Sequence, residues 1–245
     1  MKLTVLGSSS AGNGYILSNG KEALIIEAGI RFSTVKKALN FNTSIIAGLI
    51  VSHVHGDHAK YVNSYLQGGI KVLSSSSVLI GVDQKYNYLC KEVKAGQGYK
   101  IGNFRILPFD LEHDVPCLGF LVNHPETGTI MFLTDSYLSE YVFPGLSHIM
   151  LEINYADHIL EQNILSGSVH PSMRPRLLQT HMELQTAKSI LLANDLSQVK
   201  NILLIHLSAQ NSSERLFVDE ITKTTGKQVF AAKKGLELNF STNPY

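Results

Sequence analysis

The sequence has few cysteines, little net charge and no long apolar run. Its two cysteines, Cys90 and Cys117, stand in no metal-ligand spacing, which fits a reducing compartment and disfavours a structural cysteine-based zinc site. A formal net charge of +1 is unlike that of a strongly basic nucleic-acid binder, so any polyanion has to be held locally. No stretch approaches the roughly 20 apolar residues of a membrane span, and the apolar start before Gly7 is too short for a signal peptide. We therefore expect a cytoplasmic protein that does not enter the membrane.

Hydrophobic residues are plentiful, at 44% of the 245, so we expect a single globular domain over residues 1–245 with a sizeable core. Short apolar runs bounded by Gly, Asn, Ser or Pro predict strands at 3–6, 15–17, 23–26, 45–51, 104–108, 118–122, 130–133, 149–153, 202–205, 229–231 and 236–240. The order of elements is of the α/β (α+β) class. It accommodates a four-layer sandwich of two mixed sheets flanked by helices, but periodicity alone does not choose that architecture.

Helices are predicted between these strands. They are expected at 33–39 with Ser33 as N-cap, from His58 to about Leu66, at 187–193 after a capping-box pattern formed by Thr180 and Glu183, and from Ser213 to Thr225 with an end at Gly226.

The run His53-Val54-His55-Gly56-Asp57-His58 follows a buried-strand pattern directly. In an extended segment, residues two apart face the same way, so His53 and His55 can reach one ion. Gly56 permits a sharp turn, after which Asp57 and His58 can reach a second ion. A polar surface loop is the alternative interpretation of this run. Four ligand-type residues among six positions favour a metal site.

Three further candidates, His113, Asp135 and His206, each follow a predicted strand, where open α/β sheets collect functional groups. We expect His53, His55 and His113 at one divalent ion and Asp57, His58 and His206 at the other, bridged by Asp135. Imidazole and carboxylate ligands without thiolate suit Zn²⁺ first, with Mn²⁺ or Fe as alternatives. Two divalent ions held in this way would lower the pKa of a water bridging them. They would also leave a small net positive charge in the cleft, which would attract a phosphodiester.

In this order the motifs resemble the metallo-β-lactamase superfamily, which implies the αβ/βα sandwich fold. The opening Gly7-Ser8-Ser9-Ser10-Ala11-Gly12-Asn13 and the segment Leu24–Gly29 resemble its compact YycJ/WalJ-like branch of phosphodiesterases and 5′-exonucleases. The resemblance implies that Glu152 and Asn154 border the site and that His181 contacts phosphate or protonates the leaving oxygen; a surface histidine at a helix start is the alternative. Glu27 departs from the Asp usual in the branch, and we expect it to support the ligands.

The first hypothesis is therefore a dinuclear metal hydrolase of phosphodiesters, with DNA and RNA as candidate substrates and with His181 and Asp57 as catalytic residues. A lactone or thioester hydrolase with the same site is the second hypothesis, and a DNA-associated binding module with a degenerate site is the third. His170, Arg174 and Arg176 lie in a predicted loop leading to His181 and could line the cleft or grip a phosphate. The substrate, the metal and the oligomeric state are open at this point.

Overall fold

The structure is a computed structural model that describes residues 1–242. Within that range the chain forms fourteen strands: β1 (Lys2–Gly7), β2 (Gly14–Ser18), β3 (Ala23–Ile26), β4 (Ile46–Ile50), β5 (Val72–Ser74), β6 (Cys90–Glu92), β7 (Tyr99–Ile101), β8 (Phe104–Leu111), β9 (Cys117–His124), β10 (Gly128–Leu133), β11 (Leu146–Glu152), β12 (Asn201–Ile205), β13 (Gln228–Ala231) and β14 (Glu237–Asn239). Every predicted strand is present, and the three-residue strands β5, β6 and β7 are additional.

Eight α-helices connect the strands in the same part of the chain: α1 (Phe32–Ala38), α2 (Gly56–Ala59), α3 (Val62–Gln67), α4 (Ser76–Leu79), α5 (Asp157–Leu165), α6 (Met173–Thr180), α7 (Leu184–Ala193) and α8 (Glu214–Thr225). Two 3₁₀ turns lie at Thr43–Ile45 and Gln84–Leu89. Among the described residues, none of these helices is long and apolar enough to cross a bilayer.

The strands form two seven-stranded sheets that repeat one plan. The first has the spatial order β14-β1-β2-β3-β4-β5-β6, and the second has the order β13-β12-β11-β10-β9-β8-β7. In the first sheet the pairs from β14 to β3 are antiparallel and those from β3 to β6 are parallel. In the second, β7 to β10 are antiparallel and β10 to β13 are parallel. Both sheets are therefore mixed.

Three apolar clusters define the layers. One is made by strand residues of both sheets, including Tyr15, Phe104, Phe120 and Phe132, and fills the space between them. A second joins the outer face of the second sheet to α7 and α8, and a third joins the outer face of the first sheet to α1 and α3. This is the predicted four-layer αβ/βα sandwich, in which each sheet buries both faces.

Helix boundaries differ from the sequence prediction at two places in the first half. The N-cap of α1 is Arg31 rather than Ser33, and its side chain makes no capping hydrogen bond. The single helix predicted from His58 to Leu66 is two helices, α2 and α3. The cause is tertiary, because Asn13 N–H donates to the Asp57 carbonyl and Tyr61 N–H donates to Ala28 instead. Those bonds interrupt the helical ladder at Tyr61.

The predicted capping box is wrong, and so is the predicted loop before it. Thr180 ends α6 and its hydroxyl bonds back to Arg176, whereas Glu183 is itself the N-cap of α7 and accepts hydrogen bonds from Gln185 N–H and Thr186 N–H. Arg174 and Arg176 lie on helix α6 and not in a loop. The α8 prediction is confirmed, with Ser213 capping its start and Gly226 in the left-handed conformation at its end.

Candidate metal centre

All seven residues predicted as metal ligands meet at one end of the two sheets. Each follows a strand, either directly or through the short α2 turn. They form two groups whose ligand atoms lie within 4.8 Å of one another: His53, His55, His113 and Asp135 in the first, and Asp57, His58, His206 and Asp135 in the second. Asp135 belongs to both groups, which is the division that the sequence predicts.

The first group is held by the chain around it. His55 Nδ1 lies 3.2 Å from His113 Nε2, and His113 Nδ1 donates to the Thr180 carbonyl at 3.0 Å. One ring nitrogen of His53, Nδ1, lies 2.8 Å from the Ser52 hydroxyl. His53 Nε2, by contrast, is buried without a hydrogen-bond partner, 4.0 Å from Asp135 Oδ2. Buried polar atoms normally have a hydrogen-bond partner, so a buried nitrogen without one, facing a carboxylate, fits a metal-ligand atom.

The second group is more compact. Asp57 Oδ2 lies 3.0 Å from His206 Nε2 and 3.3 Å from His58 Nε2, and His58 Nε2 lies 3.3 Å from Asp135 Oδ1. Burial disfavours the charged form of both carboxylates, yet the surrounding histidines hold the pKa of Asp57 and of Asp135 well below the ordinary value. Both carboxylates are therefore ionised and acceptor-only, as ligation of a cation requires.

The shortest distances between ligand atoms are close to those around a tetrahedral ion. Two ligand atoms at Zn–N or Zn–O bond lengths of about 2.1 Å in a tetrahedral arrangement lie about 3.4 Å apart. The closest pairs of the two groups, at 3.0 to 3.3 Å, are near that value. A third cluster of Asp135, Glu152, His181 and His206 does not fit as well, because His181 Nδ1 and Glu152 Oε1 are only 2.6 Å apart. That distance is a hydrogen bond and leaves no room for an ion between the two atoms.

His181 stands beside the two groups and is oriented by Glu152. The other Glu152 oxygen accepts a hydrogen bond from Ser136 N–H at 2.9 Å, which fixes the carboxylate. Burial lowers the pKa of His181, but the adjacent Glu152 carboxylate outweighs it and the net shift is upward. With Nδ1 bonded to Glu152, only His181 Nε2 is left for a substrate, and the side chain is 16% exposed.

Three further residues support the candidate ligands: Asn13, which the sequence analysis did not single out, and Glu27 and Asn154, which it expected at the site. Asn13 Nδ2 contacts both His58 Nε2 (3.0 Å) and Asp57 Oδ2 (3.3 Å), and nothing but its place in a Gly/Ser-rich opening pointed to it. Glu27 lies 3.5 Å from His58 Nδ1 and accepts from Ser52 N–H, in the supporting position expected of it. Asn154 donates to the His206 carbonyl at 2.9 Å.

Asp114 is a further missed neighbour of the first group, at 3.4 Å from His55 Nε2 and 3.1 Å from His113 Nε2. Its side chain is half exposed, so this is where the centre opens to solvent.

The structure gives no support to phosphate binding by Arg174, His170 or Arg176. Arg174 lies 3.6 Å from Asp157 and 3.5 Å from Glu161, so two carboxylates occupy its guanidinium. His170 is exposed and its Nδ1 bonds to Ser172. Arg176 is exposed on α6.

Comparison with known proteins supports the motif resemblance. No family model matches the chain. The exodeoxyribonuclease YycJ of Bacillus anthracis is 23% identical over 263 aligned residues, covering 100% of this chain and 96% of YycJ. The exodeoxyribonuclease WalJ of Streptococcus pneumoniae serotype 2 is 23% identical over 88% of this chain and 84% of WalJ.

Solved structures with similar folds cover almost the whole chain. The metallo-β-lactamase fold protein YhfI of Bacillus subtilis aligns with a TM-score of 0.72 and 18% identity over 97% of this chain and 99% of YhfI. The short form of human tRNase Z aligns with a TM-score of 0.67 and 16% identity over 98% and 99% of the two chains. This chain therefore has the metallo-β-lactamase fold, and along its full length it is similar to the YycJ/WalJ branch that its motifs resemble.

Proposed function

We propose that this protein is a metal-dependent hydrolase that cleaves phosphodiester bonds in nucleic acids or nucleotides. The observation that carries the proposal is the pair of ligand groups sharing Asp135 at the joined ends of both sheets. Two similar proteins are exodeoxyribonucleases, and one structure of the same fold is a tRNase Z, so the relatives act on nucleic acids.

The chain's own residues divide the work. His53, His55, His113, Asp57, His58, His206 and Asp135 would hold two divalent ions, with zinc the first expectation and manganese or iron the alternatives. Ions bound there would lower the pKa of a coordinated water and polarise the phosphoryl oxygens. His181 would donate a proton from Nε2 to the leaving oxygen while Glu152 holds Nδ1. Both sheets contribute ligands, so we propose that the chain acts as one domain.

The alternatives have less support. A lactone or thioester hydrolase would keep the ligand set, but three of the proteins compared above are two exodeoxyribonucleases and a tRNase Z, whose substrates are nucleic acids. A binding module with a degenerate site would lack ligands, whereas all seven expected side chains are in the cluster.

The test combines metal analysis with activity. The purified protein is stripped with EDTA, reloaded with Zn²⁺ or Mn²⁺, analysed for metal content, and assayed on bis-p-nitrophenyl phosphate and on 5′-phosphorylated DNA and RNA. We expect cleavage that requires metal and that is lost in Asp57→Ala. A metal-loaded protein that cleaves none of these substrates would contradict the proposal.

A further inference from the structure

The charges of this chain are divided unevenly along the sequence. Residues 28–82 contain five basic residues and one acidic residue, Asp57, although the whole chain carries a net charge of only +1. The basic residues are Arg31, Lys36, Lys37, Lys60 and Lys71. The single acid is a member of the metal cluster, so the outer surface of this segment is positive.

Two of these cations, Arg31 and Lys36, line one groove, and a third, Lys60, lies over the ring of Tyr61, which also lines it. The Arg31 guanidinium and the Lys60 ammonium both lie over the Tyr61 ring, at 5.4 and 5.7 Å from its centroid, and Lys36 lies 5.5 Å from the centroid of Phe32. Arg31, Lys36, Tyr61, Ser64 and Gln67 line a groove of about 360 Å³. We call this groove, together with the adjacent Lys60, the basic groove. Within residues 1–242, none of its three cations forms an ion pair with a carboxylate.

The basic groove adjoins the segment of backbone that carries two of the candidate ligands. Lys60 and Tyr61 directly follow α2, which carries Asp57 and His58. The backbone around them is tied together, because Ala28 N–H donates to the His58 carbonyl at 2.7 Å and Tyr61 N–H donates to the Ala28 carbonyl at 3.0 Å. A strand bound in the groove would therefore lie beside the backbone that carries Asp57 and His58.

The opposite approach has the opposite charge. A pocket of about 550 Å³ is lined by Glu112, the residue before His113, and by Asp110 and Glu140 together with Tyr137 and Tyr141. Asp114 adds a further carboxylate at the solvent side of His55. The acidic surface repels a phosphate backbone and the basic groove attracts one, so the charges favour the basic side for a polyanion.

We propose that the basic groove binds the phosphate backbone of a nucleic-acid strand and leads it to the metal centre, with Arg31, Lys36 and Lys60 each contacting a phosphate. This rests on the proposed function and adds the surface that selects a polymer over a small phosphodiester. In the described part of the chain, the three cations form no ion pair with a carboxylate, are exposed or half-buried, and lie close to aromatic rings. Such positions suit contact with a phosphate backbone without base recognition.

The test measures binding without turnover. Fluorescence anisotropy of a 3′-labelled, 5′-phosphorylated single-stranded DNA 12-mer is recorded in EDTA from 50 to 200 mM salt. The variant is K36Q/K60Q, whose glutamines keep much of the aliphatic stem, and the matched control is K100Q/K234Q, which removes two exposed lysines elsewhere. Each phosphate contact contributes about 0.7 to the slope of log affinity against log salt for single strands, so the variant should lose about 1.4 of slope.

We expect K36Q/K60Q to bind about tenfold more weakly at 50 mM salt and K100Q/K234Q to bind like the wild type. R31Q is an independent variant, expected to lose about 0.7 of slope, that keeps the test valid if K60Q lowers stability. Equal losses in both double variants, an unchanged slope in K36Q/K60Q, or no DNA binding by the wild type would each overturn the basic groove.

Hydrolysis of bis-p-nitrophenyl phosphate by the metal-loaded wild type reports on the proposed function separately, because that substrate is too small to occupy the groove. Cleavage of it combined with unchanged DNA binding by K36Q/K60Q rejects the groove and keeps the hydrolase. The expected binding loss, in a protein that cleaves neither bis-p-nitrophenyl phosphate nor DNA nor RNA when loaded with metal, supports the groove and rejects the hydrolase.

Discussion

At the scale of single residues, Glu152 determines what His181 can do. Its two oxygens are both occupied, one by Ser136 N–H and the other by His181 Nδ1, and it is fully buried. A carboxylate fixed in this way selects one ring orientation and keeps a proton on Nδ1, which leaves Nε2 as the reactive nitrogen.

His181→Ala should lower kcat by about 100-fold on a substrate with a poor leaving group, because general acid catalysis is worth that much or more. The loss should be much smaller for bis-p-nitrophenyl phosphate, whose leaving group needs no proton. Glu152→Gln should show the same leaving-group dependence with a smaller loss and an unchanged KM.

Steady-state kinetics of the two variants and of their double mutant check this. The double mutant should be no slower than His181→Ala, since Glu152 acts through His181. His170→Ala, which removes an exposed histidine of the neighbouring segment, is the matched control and should keep the wild-type kcat. Equal losses for good and poor leaving groups would rule out proton donation by His181.

At the scale of elements, the turns after β1, β3 and β4 are packed against one another without space for side chains. Asn13, Gly29 and Asp57 come from these three turns, and Gly29 N–H donates to the Asn13 carbonyl at 3.0 Å. A Cβ on Gly29 would lie 1.7 Å from the Asp57 carbonyl oxygen. The position of the Asp57 backbone therefore requires that residue 29 has no side chain.

Gly29→Ala should destabilise the protein by about 2 kcal/mol or more, because the clash is with rigid backbone and the turns have to separate. Urea unfolding measures the free energy, and metal content after dialysis reports whether Asp57 has moved. Gly98→Ala is the control, since a Cβ there meets nothing within 4 Å and the change should stay within about 0.5 kcal/mol. A Gly29→Ala protein as stable as Gly98→Ala would show that the turns can relax.

The strands and helices differ in how well they could be predicted from the sequence. Strands such as β3 and β12 were predictable because their apolar runs are buried on both faces and end in turn residues. The three-residue strands β5 to β7 carry too short a pattern. Helices α5 and α6 bury few side chains and lack a continuous apolar face, so periodicity did not mark them.

The clustering of the seven candidate ligands was easier to predict than the helices around them, because ligand-type residues at strand ends are rare and specific. Asn13 and Asp114 were missed since their roles come from contacts across the fold, with His58 and with His55 respectively. The capping-box error has the same origin. Thr180 and Glu183 have the right spacing, but Thr180 closes α6, where its carbonyl accepts from His113.

At the scale of the whole molecule, both sheets supply the cluster, so a bound ion should stabilise the fold. At a metal concentration of 100 times Kd the gain is about 2.7 kcal/mol, or roughly 5–10 °C in Tm for a chain of this size. Thermal unfolding in EDTA and in excess Zn²⁺ or Mn²⁺ measures it. Asp135→Asn should lose most of the metal-dependent shift and Asp219→Asn, an exposed acid on α8, should keep it. A Tm that does not respond to metal would contradict the proposed centre.

His148 should make the fold sensitive to acid at a place remote from the cluster. It is fully buried and stacks on Phe240 at 4.2 Å, and burial lowers its pKa to about 4. The unfolded chain binds a proton near pH 6.5 and the folded chain does not, so stability is complete above 6.5 and falls as the pH drops toward 4.

The loss from this one group is about 3 kcal/mol at the lower end of that window. Urea unfolding at pH 7 and pH 4 should therefore show a smaller acid effect in His148→Phe than in the wild type. His158→Gln, at an exposed histidine, should behave like the wild type. An acid effect of equal size in His148→Phe would remove His148 as its source.

The division of the cluster between the two sheets also sets an order of events during protein synthesis. A ribosome that has completed the first sheet's strands up to β6 has delivered His53, His55, Asp57 and His58, but not Asp135, the residue common to both groups. His206 comes later still, after β12. The nascent chain can thus offer only half-formed coordination until most of it has emerged, and metal uptake should report that the two halves have docked.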